Sequence, residues 1–477
     1  MKILSVVSEL YPFVKTGGLA DVAAGLPAAL RKLGIAVTTL VPGYPPVLAG
    51  LESANEILRI ADCFGGSARI LADEARDVLA LDAPHLFARA GNPYLGPDGK
   101  DWPDNAIRFA ALGWAAARIG LGDAPALRPD IIHVHDWHAA LALAYLAYAV
   151  GERPRTVLTV HNLAFQGLFP AQFLDTLRLP KHAYTIQGVE YYGSISFLKA
   201  GLQFADRITT VSPSYAEEIK TPVNGCGLDG LLRERASVLY GIINGIDSDL
   251  WNPATDGRIP SRYDRASVAR RQINKQALQR RFGLDEHPDR LLLAAIARFT
   301  LQKGVDLLAG AAPALHAKGV QLAILGAGER DLENRIASTA AAHGGAIACV
   351  IGYDEDLAHL VQAGADALIV PSRFEPCGLT QLCALRYGAI PMVAKVGGLA
   401  DTVIDIGEGE RGPPTGLSFS PVSQDTLDAA LGRAALLWKD PARWARVQEN
   451  GMATDVSWSA SARRYASLFA DLLATKN

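Results

Sequence analysis

The sequence predicts an α/β protein with two globular halves, each built on a parallel sheet. Short apolar runs of strand length alternate along the chain with amphipathic segments of helical period, and glycine or proline usually separates them. The string GGLAD stands in two distant strand-to-helix turns, at residues 17–21 and 397–401. The chain has 477 residues, which is too long for one core and long enough for two domains of about 200 residues or more.

Composition and charge exclude several classes of protein. Apolar residues make up 49% of the chain and the formal net charge is −3, so no overall positive field would hold nucleic acid or an anionic membrane. The longest uncharged candidate span, residues 139–150, is shorter than the roughly 18 residues that a membrane helix needs. The five cysteines form no C-x-x-C pair and no signal peptide is visible, which favours a reduced cytosol. We expect a cytoplasmic protein that binds neither nucleic acid nor membrane.

The first half opens with a Rossmann-like βαβ pattern, a strand, a helix that Gly34 ends, and a second strand. Lys15 lies in the loop after the first strand, beside Gly17 and Gly18. A cation there could neutralise a phosphate while the glycines let backbone N–H groups approach it, and a solvated loop lysine is the alternative. The region from residue 42 to residue 103 is assigned no chemistry. The opening strand, helix and strand are predicted at residues 3–8, 19–33 and 35–41. The region from residue 42 to residue 103 has two strand candidates, at residues 68–71 and 78–81.

Polar residues follow two further strands of the first half, predicted at residues 131–135 and 156–160. Asp136 is expected to cap the helix that runs to residue 150. Three histidines between residues 133 and 138 suggest a metal, but no further acid or cysteine stands at ligand spacing, so we predict no metal site. His161 follows the second strand, at the sheet edge where ligands bind in parallel α/β proteins. Strands at residues 205–211 and 237–240 and an Asn-Gly turn at residues 244–245 complete this half.

Two cations flank a helix N-terminus early in the second half. A strand at residues 291–297 ends before Arg298 and Lys303, and a helix is predicted to begin after Gly304. Positive side chains beside free backbone N–H groups suit a diphosphate that is bound without a metal, and two solvated loop cations are the alternative. Upstream, Asp247 and Asp249 form a D-x-D string, for which we favour a capping role in a turn. The polar segment at residues 256–279 is predicted to be a surface helix and linker.

The most informative stretch is PSRFEPCGLTQL, at residues 371–382. A buried strand at residues 365–370 ends at Pro371, and Gly378 opens a helix that runs to residue 387. Glu375 therefore lies at the carboxyl end of a strand, where the helix N-terminus supplies N–H groups and a positive dipole end. Tyr353 follows a strand and could stack on a base, or lie in the core or on the surface. The remaining elements are strands at residues 321–325, 348–351 and 390–396 and helices at residues 424–437, 441–450 and 459–473.

Six motifs occur in order along nearly the whole chain. They are KTGGLAD (15–21), HDWH (135–138), TVHN (159–162), NGID (244–247), QKG (302–304) and PSRFEPCGLTQ (371–381). Together they resemble the bacterial glycogen synthase family, which includes plant starch synthases. The resemblance implies the GT-B glycosyltransferase fold, in which two Rossmann-like domains face a deep cleft. Residues 1–241 would form the domain for the glucan acceptor and residues 242–477 the domain for the ADP-glucose donor, and the last helix could pack back onto the N-terminal domain.

The resemblance also implies the reaction and the residues that perform it. Glucose would pass from ADP-glucose to the non-reducing end of an α-1,4-glucan such as glycogen, with retention and without metal or cofactor. The diphosphate would meet Lys15, Gly18, Arg298 and Lys303, joined by Leu379 and Thr380 at a helix N-terminus. The glucose would be surrounded by His161, Asn244, Glu375, Cys377 and Gly378, with Asp136 nearby. Tyr353 would stack on adenine, and Gly17 and Asp21 would belong to the substrate-binding set.

The resemblance and the chemistry of these residues agree. Cleavage of the glucose–phosphate bond places negative charge on ADP and positive charge on the sugar, so fixed cations and a carboxylate lower the barrier. Of the residues named, Glu375, Arg298, Lys303, His161 and Asp136 are predicted to be catalytic. The eighth position after Glu375, where related transferases carry a second glutamate, is Cys383.

Three alternatives remain. The first is a retaining transferase that uses UDP-glucose or another acceptor, which a donor and acceptor screen would separate. The second is a non-catalytic glucan-binding or nucleotide-sensing protein, which the presence of Glu375, Arg298 and Lys303 disfavours. The third is a dehydrogenase, which Asp331 disfavours because it replaces the third glycine of the dinucleotide fingerprint. Nothing in the sequence predicts the oligomeric state.

Overall fold

The computed structural model describes residues 1–51 and 53–475 and divides the chain into two compact α/β units. The first unit is Met1–Asn244 together with the chain from Trp458 onward, and the second unit is Gly245–Ser457. Each unit contains its own parallel sheet, so that the two predicted runs of βα alternation form two separate sheets.

The first unit is built on a nine-stranded sheet in the order β12-β11-β7-β6-β1-β2-β5-β4-β3, which is parallel except at β4, and on a three-stranded antiparallel sheet in the order β8-β10-β9. Its strands are β1 Lys2–Val6, β2 Ala36–Pro42, β3 Asn55–Ile60, β4 Ala68–Asp73, β5 Val78–Asp82, β6 Ile131–His135, β7 Arg155–Val160, β8 Leu168–Pro170, β9 Glu190–Tyr191, β10 Ser194–Ser196, β11 Arg207–Thr210 and β12 Leu239–Gly241. Its helices are α1 Gly18–Lys32, α2 Pro45–Gly50, α3 Pro84–Phe87, α4 Asn105–Gly120, α5 Asp136–Tyr148, α6 Phe197–Phe204, α7 Pro213–Glu218 and α8 Asp229–Glu234.

The second unit is built on a six-stranded parallel sheet in the order β15-β14-β13-β16-β17-β18. Its strands are β13 Leu292–Ile296, β14 Gln321–Gly326, β15 Ile347–Ile351, β16 Ala367–Val370, β17 Ile390–Ala394 and β18 Leu417–Phe419. Its helices are α9 Arg271–Phe282, α10 Val305–Ala317, α11 Arg330–Ala342, α12 Glu355–Gly364, α13 Thr380–Tyr387, α14 Gly397–Thr402, α15 Gln424–Trp438 and α16 Pro441–Ala453. The last helix of the chain, α17 Trp458–Ala474, belongs to the first unit.

Alternate residues of the second sheet pack into two hydrophobic clusters, one on each face. Leu293 and Ala295 contribute to one cluster and Leu292 and Ala294 to the other. Because successive side chains of a strand point to opposite faces, this alternation shows that β13 is covered on both sides. A strand buried on both faces needs apolar residues throughout, which is why the sequence of this region reads as a continuous apolar run.

Helix α17 packs against the first unit through its apolar stripe. Trp458, Tyr465 and Phe469 are almost fully buried in one cluster with Leu26 and Ile3, which lie on α1 and β1. The final helix of the chain thus completes the core of the first unit. No helix among the described residues combines the length and the apolar character that crossing a membrane requires.

The polar segment at residues 256–279 differs from its prediction as a surface helix. Helix α9 buries Arg271, Asn274, Lys275 and Gln279 as well as its apolar residues. Lys275 Nζ donates to the carbonyl oxygens of Pro288 and Arg290 at 2.9 and 2.6 Å, and it also forms a buried ion pair with an aspartate, Asp366, at 2.7 Å. Buried polar groups are tolerated when they are paired, so the polar composition of this segment does not indicate exposure.

Candidate active site

The acid and the cation predicted in the second unit meet at the carboxyl ends of two neighbouring strands. Lys303 follows β13 and Glu375 follows β16, and these strands pair in the sheet. Lys303 Nζ lies 2.6 Å from Glu375 Oε2, and the Ser372 hydroxyl donates to the same oxygen at 2.8 Å. The Glu375 side chain is only 8% exposed. The contact therefore places opposite charges side by side at an edge where parallel α/β sheets bind ligands.

Hydrogen bonds fix the two loops against each other. Gln302 Nε2 donates to the carbonyl of Phe374 at 3.1 Å, and the backbone N–H of Arg373 donates to the carbonyl of Gln302 at 2.8 Å. The Arg373 guanidinium makes two bonds of 2.7 Å to the carboxylate of Asp306, on helix α10. A bidentate pair of this kind is directional, so it locks the Glu375 loop to the helix that follows Lys303.

Two glycines allow the close approach of these loops. Gly304 has a φ of +67°, and a Cβ there would lie 2.1 Å from the carbonyl oxygen of Pro371. Gly398 donates its N–H to the carbonyl of Glu375 at 3.1 Å, and a Cβ there would lie 2.3 Å from the carbonyl oxygen of Cys377. Larger residues would separate the backbones, so the second copy of the GGLAD string supports the Glu375 loop directly.

Helix α13 begins beside Glu375, with Leu379 as its N-cap and Thr380 as its first residue. Gln381 Nε2 donates to the carbonyls of Cys377 and Gly378 at 3.0 and 2.9 Å, which holds the turn that leads into the helix. The N–H groups of a first helical turn have no partner within the helix, so this end can accept an anion. Cys383, on the same helix, is buried in an apolar cluster with Ile246, Leu382, Leu385 and Val456.

Arg298 and Tyr353 are the exposed members of the predicted set in the second unit. The Arg298 side chain makes no hydrogen bond or ion pair with any residue that the structure describes, so its charge is available to a ligand. Tyr353 is 76% exposed, and its hydroxyl donates to the carboxylate of Glu355. The face of its ring is therefore accessible, while its role as a base platform stays a prediction.

In the first unit, the predicted residues follow the neighbouring strands β1, β6 and β7. Lys15 lies in the loop after β1 and pairs with Asp21 at 3.0 Å. Gly18 is the first residue of helix α1, and Gly17 is its N-cap. The loop thus presents glycine N–H groups at a helix N-terminus, with a half-buried lysine beside them.

Glu9, which is not among the predicted site residues, organises this loop. Its carboxylate is 3% exposed and accepts from the backbone N–H and the hydroxyl of Thr16, both at 2.5 Å, and from the N–H of Gly17 at 3.3 Å. The hydroxyl of Tyr94 donates to it at 2.5 Å. Glu9 follows an apolar strand at its carboxyl end, which is the same signal that drew attention to Glu375. Tyr94 lies between residues 42 and 103, a region for which the sequence predicts no chemistry.

Asp136 does not cap helix α5, contrary to the prediction. It is the first residue of the helix, with φ of +53°, and His135 is the N-cap. Its Oδ1 instead accepts from the backbone N–H groups of His161 and Asn162, at 2.7 and 3.4 Å, and so joins the ends of β6 and β7. Burial raises the pKa of Asp136 to about 7, although these two hydrogen bonds act in the opposite direction.

His161 offers a hydrogen bond rather than a charge. Its Nε2 lies 2.9 Å from His135 Nδ1, and His135 Nε2 lies 3.4 Å from the hydroxyl of Ser5. Burial lowers the pKa of His161 to about 3, so the ring is neutral near pH 7. The interaction with His135 occupies one nitrogen of the ring and orients the other. Burial also lowers the pKa of His133 and that of His138 to about 3.

The raised pKa of Asp136 predicts a specific pH dependence of stability. The carboxyl group binds its proton more tightly in the folded than in the unfolded protein, so its contribution is greatest below about pH 4 and is lost as the pH rises towards 7. Asp136→Asn should remove this dependence, because Asn stays neutral and also tolerates a positive φ. The wild type should lose roughly 2 kcal/mol of unfolding free energy between pH 5 and pH 8 through this group, and the variant should not. Denaturant unfolding at both pH values measures the difference, and parallel curves would show that Asp136 keeps an ordinary pKa.

The remaining predicted residues lie where the chain passes from one unit to the other. Asn244 ends the first unit, is 6% exposed, and has an Oδ1 that accepts no hydrogen bond from the described residues. Asp247 Oδ1 accepts from the N–H groups of Asp249 and Leu250 at 2.9 and 3.1 Å, which is the turn-capping role that was favoured for it. Within residues 1–51 and 53–475, no three His, Cys, Asp or Glu side chains are grouped as metal ligands would be.

Taken unit by unit, the structure assembles two sets of predicted residues at carboxyl edges of sheets. Lys303 and Glu375 are in contact, helix α13 begins at the end of the Glu375 loop, and Arg298 follows the same strand as Lys303. Asp136 and His161 are joined by a hydrogen bond, and Lys15 lies in the loop of the adjacent strand β1. These sets include a buried acid, cations and helix N-termini. Such groups can stabilise the charges that develop when a bond between a sugar and a phosphate breaks.

Comparisons with known proteins agree with this chemistry. Residues 2–234 match the family described as starch synthase catalytic domain, and residues 277–450 match the family described as glycosyl transferases group 1. A glycogen synthase of Rhodopseudomonas palustris strain BisB18 is 59% identical, covering 99% of this chain and 98% of that protein. A glycogen synthase of Methylocella silvestris is 56% identical, covering 99% of each chain.

Solved structures resemble the whole chain as well. The catalytic domain of starch synthase IV from Arabidopsis thaliana, bound to ADP and acarbose, aligns with a TM-score of 0.88 and 30% identity, covering 99% of each chain. Sucrose-phosphate synthase from Thermosynechococcus elongatus aligns with a TM-score of 0.59 at 18% identity over the full length of both chains, a likeness of fold. Both neighbours are GT-B glycosyltransferases.

Proposed function

This chain belongs to the bacterial glycogen synthase family of retaining glycosyltransferases, and we propose that it transfers glucose from ADP-glucose to the non-reducing end of an α-1,4-glucan. The contact of 2.6 Å between Lys303 and Glu375 carries the proposal most directly. It brings a cation for the leaving phosphate and a carboxylate for the electron-poor sugar to one point. Both charges are needed because the transition state carries negative charge on the leaving phosphate and positive charge on the sugar.

Each charge has its own task in this reaction. Lys303 and Arg298 stabilise the negative charge that builds on the leaving ADP, and the N-terminus of α13 adds the N–H groups of Leu379 and Thr380. Glu375 faces the sugar, with Cys377 and Gly378 forming the adjacent wall. The acceptor hydroxyl attacks from the face that ADP leaves, and a leaving-phosphate oxygen takes its proton. No covalent enzyme intermediate is needed.

The residues of the first unit have supporting roles in the proposal. Lys15, Gly17 and Gly18 bind the donor phosphates, and Asp21 holds Lys15 in place. His161 and Asn244 donate or accept hydrogen bonds at the transferred glucose, and Asp136 fixes the backbone of His161. Tyr353 stacks on the adenine ring. A cytoplasmic location, for which the scattered cysteines were the argument, also stays a prediction.

The test is a measurement of ADP or UDP release from ADP-glucose and UDP-glucose, each with and without glycogen. Release that requires both ADP-glucose and glycogen supports the proposal. Faster release from UDP-glucose would identify UDP-glucose as the donor. Release at the same rate with and without glycogen would show that glycogen is not the acceptor. Absence of turnover with either donor would favour a non-catalytic nucleotide or glucan sensor.

Turnover is expected to need no divalent metal. Arg298, Lys303 and a helix N-terminus supply positive charge that metal-dependent transferases take from an ion. Addition of EDTA should therefore leave kcat unchanged, and added Mg²⁺ or Mn²⁺ should have little effect. Loss of activity in EDTA that either ion restores would refute this expectation and would make Asp247 and Asp249 the first candidates for ligands.

A further inference from the structure

A cavity of about 190 Å³ lies in the first unit, and none of the residues that line it has a role in the proposed reaction. Two arginines, Arg89 and Arg108, a tyrosine, Tyr44, and Asn92 contribute to its wall, together with Val14 and several prolines. The volume is large enough for a small polar molecule with a few waters. The polar groups in the wall indicate the kind of molecule that fits.

Arg108 is a buried cation whose hydrogen bonds are incomplete. The side chain has no exposed surface. Its Nε donates to the carbonyl of Leu86 at 2.9 Å, and its Nη1 donates to the carbonyl of Pro93 at 2.8 Å and to Asn105 Oδ1 at 2.7 Å. Its Nη2 has no acceptor among the described residues, which also provide no carboxylate within ion-pair distance. Buried charges are normally paired, so this arginine lacks a negative partner.

Tyr44 provides a second donor without an acceptor. It is 3% exposed, its ring packs edge-on against Phe87 at 5.6 Å, and its hydroxyl has no hydrogen-bond partner in the described parts of the chain. Burial raises the pKa of this phenol, so the hydroxyl keeps its proton and can donate it. The guanidinium carbon of Arg108 lies 5.4 Å from the centre of the same Phe87 ring, so both donors flank one side chain and line the same cavity.

The acids of this region are engaged elsewhere. The carboxylate of Asp104 accepts two bonds from Arg89, at 2.9 and 2.7 Å, so these two charges balance each other. The carboxylate of Glu9 accepts from Thr16, Gly17 and Tyr94. Neither acid forms an ion pair with Arg108, so within the described residues this buried cation has no carboxylate partner of its own.

We propose that this cavity binds a small oxyanion, either phosphate or the carboxylate of a small metabolite, through Arg108 and Tyr44. An oxyanion offers acceptor oxygens to both donors and also offsets the buried charge, whereas a water molecule would satisfy the donors without neutralising the charge. Both donor atoms are covered by their neighbours, so binding requires a small movement of the cavity wall. Val14 belongs to the loop that continues into Lys15, so an occupied cavity also supports that loop.

The test follows the thermal midpoint of the full-length protein as inorganic phosphate or malonate is added, at constant ionic strength and with saturating ADP. ADP occupies the diphosphate site, so stabilisation beyond it reports on a separate site. In the wild type, the midpoint should rise by several degrees and saturate. Tyr44→Phe keeps the ring but removes the hydroxyl, and the free variant should be as stable as the wild type because that hydroxyl makes no bond. Its response to the anion should fall several-fold.

Two further variants complete the design. Tyr148→Phe removes a phenol hydroxyl elsewhere in the same unit and should respond as the wild type does. Arg108→Lys keeps the charge but loses the fork of donors, so its saturating response should also weaken. A response to phosphate alone or to malonate alone supports the site and identifies its ligand. A linear rise shared by all variants would be a general salt effect, and it would overturn the proposal, as would equal saturation in wild type and Tyr44→Phe.

Discussion

Glu375→Gln should lower kcat by roughly a hundredfold or more while the affinity for ADP changes little. Gln preserves the size of the side chain and can still accept the hydrogen bond from Ser372, but it removes the charge that would stabilise a cationic sugar. ADP lacks the glucose that Glu375 faces, so its binding reports on the rest of the site. Steady-state kinetics with ADP-glucose and glycogen, beside calorimetry with ADP, measures the two quantities.

A matched control is available in the same unit. Glu408 also pairs with a lysine, Lys395, on the surface, so Glu408→Gln removes a Lys–Glu pair that has no predicted role in catalysis. Its kcat should be close to that of the wild type. If Glu375→Gln folded and also kept near-normal turnover, Glu375 would be an ordinary loop acid, and the catalytic centre would have to be sought around Asp136 and His161.

The fold was predictable where strands are buried on both faces. Strands such as β13 and β16 read as short apolar runs, because helices cover both sides of a parallel sheet. Helix α4 was missed for a related reason. Nearly all of its residues are buried, so the segment lacks the polar face that makes an amphipathic helix recognisable. For helix α9 the prediction was wrong in the opposite direction, because its polar residues suggest exposure although several of them are buried. Their hydrogen-bonding groups are paired with residues remote in sequence, such as Asp366 for Lys275.

The candidate site was predictable where function follows from position on a strand end. Glu375, Lys303 and His161 could be predicted because each lies in the loop that follows a strand, and parallel strands place their carboxyl ends at one edge. The role of Ser372 and the hydrogen bond between Glu9 and Tyr94 could not be predicted in this way. The bond from Tyr94 spans 85 positions of sequence, and only the packing of the first unit brings the two residues together. Glu9 itself satisfied the strand-end criterion and could have been found.

Lys303→Ala should also lower kcat strongly, by an amount equivalent to about 2 to 4 kcal/mol, and more than it weakens ADP binding. Negative charge on the leaving group is greatest while the bond breaks, so loss of the cation raises the energy of the transition state more than it weakens the binding of ADP. Lys395→Ala is the matched control, since it removes the lysine of the surface pair and should leave kcat unchanged. Near-normal kcat in Lys303→Ala would mean that the charge is stabilised elsewhere.

Comparison with Arg298→Ala separates the two tasks of Lys303. Arg298 is exposed and is not paired with Glu375, so its removal should lower kcat through the phosphate alone. Removal of Lys303 also leaves Glu375 buried without its counter-ion. The Lys303 variant should therefore lose more activity than the Arg298 variant. Lys303→Ala should also cost less in a Glu375→Gln background than in the wild type, because the two side chains are in contact. Strictly additive losses would show that the contact of 2.6 Å does not couple the two groups in the reaction.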